Sequence, residues 1–342
     1  MTAINTIPGL LVPSQGTSAG ELFAARNATT PAAGAPALAA APAVPTAAGT
    51  RPEALARLAS AQGGLAPLFA DLAAAIGRSD LPQAVQGAAQ ALLSTGLDGA
   101  ALDGKAIETG LLKSGIFLEG ALARGEAIQG DRKQALLALR DALRGALPEG
   151  ARLPASSSSL PPPFRLALPV GEQPSLPSIA LLDGDAAGLK LLSETDAALA
   201  RTTLLQLASL PESSQGNTAQ RLLVDIPIAT PQGHAVIQLQ IEPDAQRRNA
   251  QGEEKAPSWR INLAIDLEPL GPVRACVTQI EGRIHVNLFA ERETAARALR
   301  EDLPALQTQL SQAALEPGDL NCRSGTPQRE PAAPGLFVDR AS

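Results

Sequence analysis

Residues 259–268 read Trp-Arg-Ile-Asn-Leu-Ala-Ile-Asp-Leu-Glu, and their alternation decides the fold of the C-terminal third. Trp259, Ile261, Leu263, Ile265 and Leu267 take every second position, with Arg260, Asn262, Ala264, Asp266 and Glu268 between them. A period of two sends successive side chains to opposite faces, so the spacing predicts a strand with one dry face and one wet face. Upstream, Leu222, Val224, Ile226 and Ile228 alternate in the same way. Pro231, Gln232 and Gly233 interrupt the run, and Ala235, Ile237, Leu239 and Ile241 resume it, which predicts a hairpin. A charged, loop-like stretch from Pro243 to Ser258 follows that hairpin. Downstream, Val273 to Gln279 and Arg283 to Ala290 predict two more strands around a tight turn at Glu281 and Gly282. Leu299, Leu303, Leu306 and Leu310 then carry helical spacing onto the sheet, with Pro304 expected to kink or restart the helix. The fold class is α+β, and a small C-terminal β-sheet domain with one packed helix is expected over residues 217–325.

The rest of the chain is of different character. Residues 1–50 are dominated by Ala, Pro, Thr, Ser and Gly, with prolines at 31, 36, 42 and 45. Repeated proline removes backbone donors and alanine alone buries too little surface to offset ordering, so this segment is expected to be disordered. Residues 51–148 show helical stripes: Leu65, Leu68, Phe69, Leu72 and Ile76; Ile107, Leu111, Leu118 and Leu122; and Leu136, Leu139, Leu143 and Leu147 behind a capping Asp131. The alanine and glycine between them predict close but small contacts, hence an Ala-rich helical region that opens readily. Residues 149–180, with Ser156 to Ser159 and Pro161 to Pro163, read as an extended linker. Leu191, Leu192, Ala198, Leu199 and Leu205 predict a connecting helix within 181–211, ended by Pro211. Residues 326–342 are expected to be a disordered tail.

Composition narrows the function. The 342 residues carry a net charge of −6, which removes the cationic footprint that phosphate backbones require, so nucleic acid is not expected as a partner. No apolar run is long enough to predict membrane insertion, and the N-terminus lacks a secretory pattern, so synthesis as a soluble cytoplasmic chain is expected. Cys276 and Cys322 stand outside any CxxC spacing, which points to a reducing compartment.

No motif rises to a catalytic set. Gly99, Gly104 and Lys105 have phosphate-loop spacing, but Ala106 replaces the hydroxyl that would bind magnesium. Asp183, Asp185, Gly188 and Glu194 match part of a calcium loop, yet Ala187 and Leu191 stand where ligands are needed, so an N-cap with nearby acids is the better reading. His234 and His285 belong to different hairpins, His285 on the outer face with Asn287 and Phe289. Cys276 lies on the face opposite Val273, Ala275 and Val277, with nothing in the sequence nearby to activate it. Neither an enzyme, nor a cofactor, nor a metal is expected.

The stretch from Trp259 to Asn321 resembles the C-terminal domain of bacterial flagellar hook-length control proteins. The features that carry the resemblance are a strand ending in Pro269, Leu270 and Gly271, a hairpin rich in β-branched residues, and a helix with Leu303, Leu306 and Leu310 before a glycine and a last short strand. Where the family usually has one or two residues between the proline and Leu-Gly, Pro269 here abuts Leu270. The segments SGIFLEGALA from Ser114 and DAALARTTLLQLASL from Asp196 are similar to spacer regions of that family. The resemblance implies a monomeric chain, first cytoplasmic and then exported through the flagellar type III apparatus, whose N-terminal part signals export and gauges length. It implies that the C-terminal domain contacts the export gate switch protein, with Pro269, Leu270, Gly271 and Val273 at the contact, and that hook or hook-cap subunits are further partners. The ~215 residues before the β domain would reach ~700 Å extended but ~320 Å if wholly helical, so the reach of such a spacer depends on its folded state. Two other classes compete: a cytosolic adaptor that binds a partner through the β domain without being secreted, and a hydrolase or nucleotide enzyme.

Overall fold

The computed structural model describes residues 51–148, 160–163, 169, 171–210, 221–244, 258–280 and 282–326. All of them fall in the compact unit Ala48–Ser342. The N-terminal segment 1–50, Ser156 to Ser159, most of the charged loop (245–257), Glu281 and the tail from 327 lie outside the described residues.

Helices α1 (Arg51–Ala61), α2 (Leu65–Ala75) and α3 (Gln83–Leu93) lead into a two-residue strand β1 (Leu97–Asp98). Helices α4 (Gly104–Leu112), α5 (Leu118–Ala123) and α6 (Arg132–Ala146) follow. Then come β2 (Glu172–Ser175), the long α7 (Gly184–Ser209) and the meander β3 (Leu222–Thr230), β4 (Gly233–Asp244), β5 (Ser258–Leu267), β6 (Gly271–Ile280) and β7 (Arg283–Ala290). Helix α8 (Glu293–Gln312) crosses over to β8 (Glu316–Ser324). The sheet has eight strands in the order β1-β3-β4-β5-β6-β7-β8, with β2 pairing beside β4. The meander is antiparallel, as short turns require, whereas β8 runs parallel to β7 because a helix intervenes.

Carboxylates start the helices where the sequence places them. Asp131 accepts from the amide of Gln134 at 3.0 Å, Asp103 from Ala106 at 2.7 Å and Asp183 from Ala186 at 2.8 Å. The stripe Ile107, Leu111, Leu118 and Leu122 is divided between α4 and α5, and Leu122 is 62% exposed. Helix α8 continues through Pro304 instead of restarting. Pro304 is on an exposed position, so the carbonyl that loses its amide donor can be hydrated. Leu299 and Leu303 pack toward the sheet, while Leu306 and Leu310 remain half-exposed.

Within the Pro- and Ser-rich stretch 149–180, Glu172 to Ser175 form a strand on β4, at Glu172↔Val236 and Ser175↔His234. The helical region and the sheet share a core: Leu65, Leu68, Phe69 and Leu72 of α2, Leu136, Leu139 and Leu143 of α6 and Leu191 of α7 cluster with Val236 of β4. On the opposite face of β3 and β4, Val224, Ile226, Ile228 and Ile237 pack under Ile107, Leu111, Ile116 and Phe117. Strand β3 is therefore buried on both faces, and its one charged residue must be compensated.

That residue is Asp225. Its carboxylate accepts from Arg201 Nε of α7 at 2.9 Å, with only 3% and 6% of the two side chains exposed. Arg201 also donates to Gln62 Oε1 at 3.0 Å and to the Pro161 carbonyl at 2.9 Å. Arg132, at the start of α6, donates to the Asp225 carbonyl and, at 3.4 Å, to that of Gly110. Burial pushes the Arg132 guanidinium down to about 10, against the pull of Asp225 and Asp131. Removing one member of such a pair strands the other charge in the core. Asp225→Ala is expected to lower stability by about 3–5 kcal/mol in urea denaturation, and the double variant Arg201→Met/Asp225→Leu to recover most of that loss; equal stability of Asp225→Ala and the parent would refute the account.

Candidate functional site

Strand β5 departs from its expected one-dry, one-wet pattern. Asn262, Ala264 and Asp266, the wet row, are buried, whereas Ile261, Leu263, Ile265 and Leu267 are half-exposed. The reason lies in which elements cover the sheet. Register places Leu263 beside Leu239 and Ala275, and Ala275 beside Leu288, all on one face. On that face the α4–α5 residues Ile107, Leu111 and Phe117 cover β3 and β4, and α8 covers Val273 and Leu288. The apolar row of β5 lies between the two covers and is fully buried by neither.

At the end of this strip the chain turns from β5 into β6. The Glu268–Pro269 peptide bond is cis, and Gly271 adopts φ +72°. Arg292, the residue before α8, reaches back across the turn. Its Nη1 and Nη2 each bond a Glu268 carboxylate oxygen at 2.7 Å, and Nη1 also donates to the Pro269 carbonyl at 2.8 Å. A Cβ on Gly271 would stand 2.6 Å from Arg292 Nε, so backbone conformation and close approach both require glycine there. The amide of Glu291 adds a bond to the Pro272 carbonyl at 3.1 Å. Hydrogen bonding from Arg292 holds the Glu268 carboxyl below its ordinary value and raises the guanidinium in turn. Next to the pair, burial and then the charge of Glu268 push the Asp266 carboxyl upward, with Arg292 acting against them.

The residues singled out from sequence fall into two sets. Pro269 is exposed at the tip of the turn. Leu270 and Val273 turn inward against Ala295, Ala296, Leu299 and Leu303, and Gly271 is buried beneath Arg292. Glu268 and Arg292 were not apparent from sequence, being 24 residues apart. One signal was present: a cation at the start of a helix opposes the helix dipole, so Arg292 needed another employment.

The remaining candidates have structural roles. Asp103 fills the amide seat at the start of α4 that a phosphate on Gly104 and Lys105 would need. Asp183 is the N-cap of α7, and Glu194 bonds Lys190 at 2.7 Å. His234 is tilted against Phe69 with ring centres 6.1 Å apart, and burial lowers its pKa. His285 Nδ1 accepts the Asp319 amide at 3.1 Å, which fastens β8. Neither cysteine is in a disulfide, and burial raises the Cys322 thiol. The cavity lined by Leu65, Ser114, Arg132, Arg201 and Asp225 measures about 10 Å³, too small for a substrate larger than water. Among the described residues, no group of three or more His, Cys, Asp or Glu side chains is placed to hold a metal ion, and no helix is long and apolar enough to cross a membrane.

With this geometry in view, residues 247–331 match the family model of the flagellar hook-length control protein FliK. The C-terminal region carries a hook-length control domain. The match takes in β5 through β8 with α8, so the half-open strip, the clamped turn and the crossover helix all lie in the hook-length control part, while β1 to β4 and the helices before them lie outside it. No curated protein and no solved structure matches the chain.

The clamp makes a measurable distinction between two glycines. Gly282 also has a positive φ, +85°, but a Cβ there would meet nothing within 4 Å. Gly282→Ala is expected to cost about 1–2 kcal/mol from backbone conformation alone, and Gly271→Ala more, because Arg292 must also be displaced. Equal losses in thermal or urea melts would mean that Arg292 does not constrain the turn.

Proposed function

We propose that this chain is a hook-length control protein: an exported regulator that gauges the hook and switches type III export specificity through its C-terminal domain. The observation that carries the reading is the family match, which spans the α8-covered half of the sheet. On this reading the protein is made in the cytoplasm and then exported through the flagellar type III apparatus. The long region before β5 is the part that gauges length. The docking partner is the export gate switch protein, met by the turn around Pro269 and Leu270 and by the adjoining apolar strip of β5; hook or hook-cap subunits are met during passage.

The physical support is of two kinds. First, the exposed features of the matched domain are those of a binding surface: a bidentate ion pair rigidifies the turn, so ordering entropy is already spent before a partner arrives. Second, the apolar strip beside it offers area that becomes favourable only when covered. Arg292 acts here as a positioning residue for the turn, not as a contact by itself.

Deleting the gene in a flagellated host and measuring hooks by electron microscopy tests the whole reading. Hooks of abnormal length with filaments missing are expected; normal hooks bearing normal filaments would overturn it. Arg292→Ala, checked for folding by circular dichroism, is expected to leave the protein exported into the medium while impairing the switch. Absence of the parent protein from the medium of hook-bearing cells would favour an adaptor that stays inside.

A further inference from the structure

Residues 171–182 form a strap laid from the edge of β4 across α2, outside the segment that matches the hook-length family. Helix α2 is buried along its length, and Asp71 is its only ionisable residue. Strap and helix cap one another. Glu172 Oε1 of the strap accepts the amide of Ala66, in the first turn of α2, at 3.1 Å. Asp71 of α2 accepts the amides of Ser178 and Ile179, the latter at 3.1 Å, and the Ser178 hydroxyl at 2.6 Å. Past the end of α2, Arg78 donates to the carbonyls of Ile179 at 2.8 Å and Leu182 at 2.7 Å.

Two carboxylates along this seam are incompletely satisfied. Glu172 Oε2 and Glu194 Oε2 are buried with no hydrogen-bond partner among the described residues. An ionised carboxylate has two acceptor oxygens to satisfy, so burying one unbonded favours the protonated form. The surroundings add to this. Glu172 faces the like charge of Asp225 on β3, with Arg201 of α7 acting against it. Glu194 faces Lys190 of its own helix, which acts the other way, and the like charge of Asp71 on α2. Burial first, then these like charges, push both carboxyls up to about 7.

We propose that the strap is a proton-held latch, seated on α2 while Glu172 and Glu194 are protonated and loosened when they ionise. A carboxyl whose folded value lies above its free value of 4.5 is bound more tightly by the seated form. Seating is therefore strongest below the free value and weakens as pH rises through about 7. His234, paired with Ser175 of the strap and lowered by burial, acts oppositely: its protonation opposes seating as pH falls below its ordinary 6.5. That contribution is common to parent and glutamate variants and cancels in their difference. The latch is independent of the export reading, because it acts on the docking of this chain's own helices.

The test is NMR amide exchange at Ala66, Ser178 and Ile179 in the full chain, comparing the parent with Glu172→Gln and Glu194→Gln. Near pH 4 the three proteins are expected to show equal protection, and by about pH 8 the parent to fall below each variant by on the order of a hundredfold. Parallel pH profiles for parent and variants would overturn the latch. Should the variants fail to fold, the side-chain carboxyl resonances of Glu172 and Glu194 in the parent decide: midpoints between about 6 and 8 support the latch, and midpoints below about 5.5 overturn it.

Discussion

The carboxylate of Asp225 is almost wholly buried, and much of the architecture follows from that. It sits on a strand covered on both faces, so only a cation brought from another element can compensate it. Arg201 supplies that cation from the middle of α7, and Gln62 and the Pro161 carbonyl complete its donor set. Arg132 then ties the start of α6 to the same residue. Two helices are thus registered against one strand by directional bonds, which apolar packing alone would not impose. The leucines and Phe69 of these helices supply the apolar contact, and the polar seam adds directional bonds to it.

The sheet is used unequally. Its β3–β4 half is enclosed by helices on both sides, and its β5–β8 half is covered by α8 on one side with a strip of β5 left half-open. The family match falls on that second half. The enclosed half is built for cohesion and the other presents surface, with Arg292 connecting the turn at its margin to the start of α8. Arg292 thereby ties the turn at Glu268 and Pro269 to the residue that precedes α8.

Periodicity made most elements legible. The meander from Leu222 to Ala290, the helix bearing Leu299 and Leu303, and the caps at Asp131 and Asp183 are where local spacing places them, because backbone hydrogen bonding and side-chain alternation are local rules. The strand at Glu172 was not legible, since proline and serine around it mask a four-residue pairing made only by the edge of β4. Nor was the continuity of α8 through Pro304, which depends on that position being exposed.

By itself the sequence determined the α+β class, the sites of the turns and the resemblance that identifies the C-terminal domain. Tertiary structure alone decided which face of β5 is covered, that Arg292 closes on Glu268, that Arg201 meets Asp225, and that Glu172 and Asp71 cap each other's segments. The physical reason is range. Alternation says that a strand has two faces but not what will lie on either, and a charge pair formed across 24 residues or more leaves no mark on the local pattern of either partner.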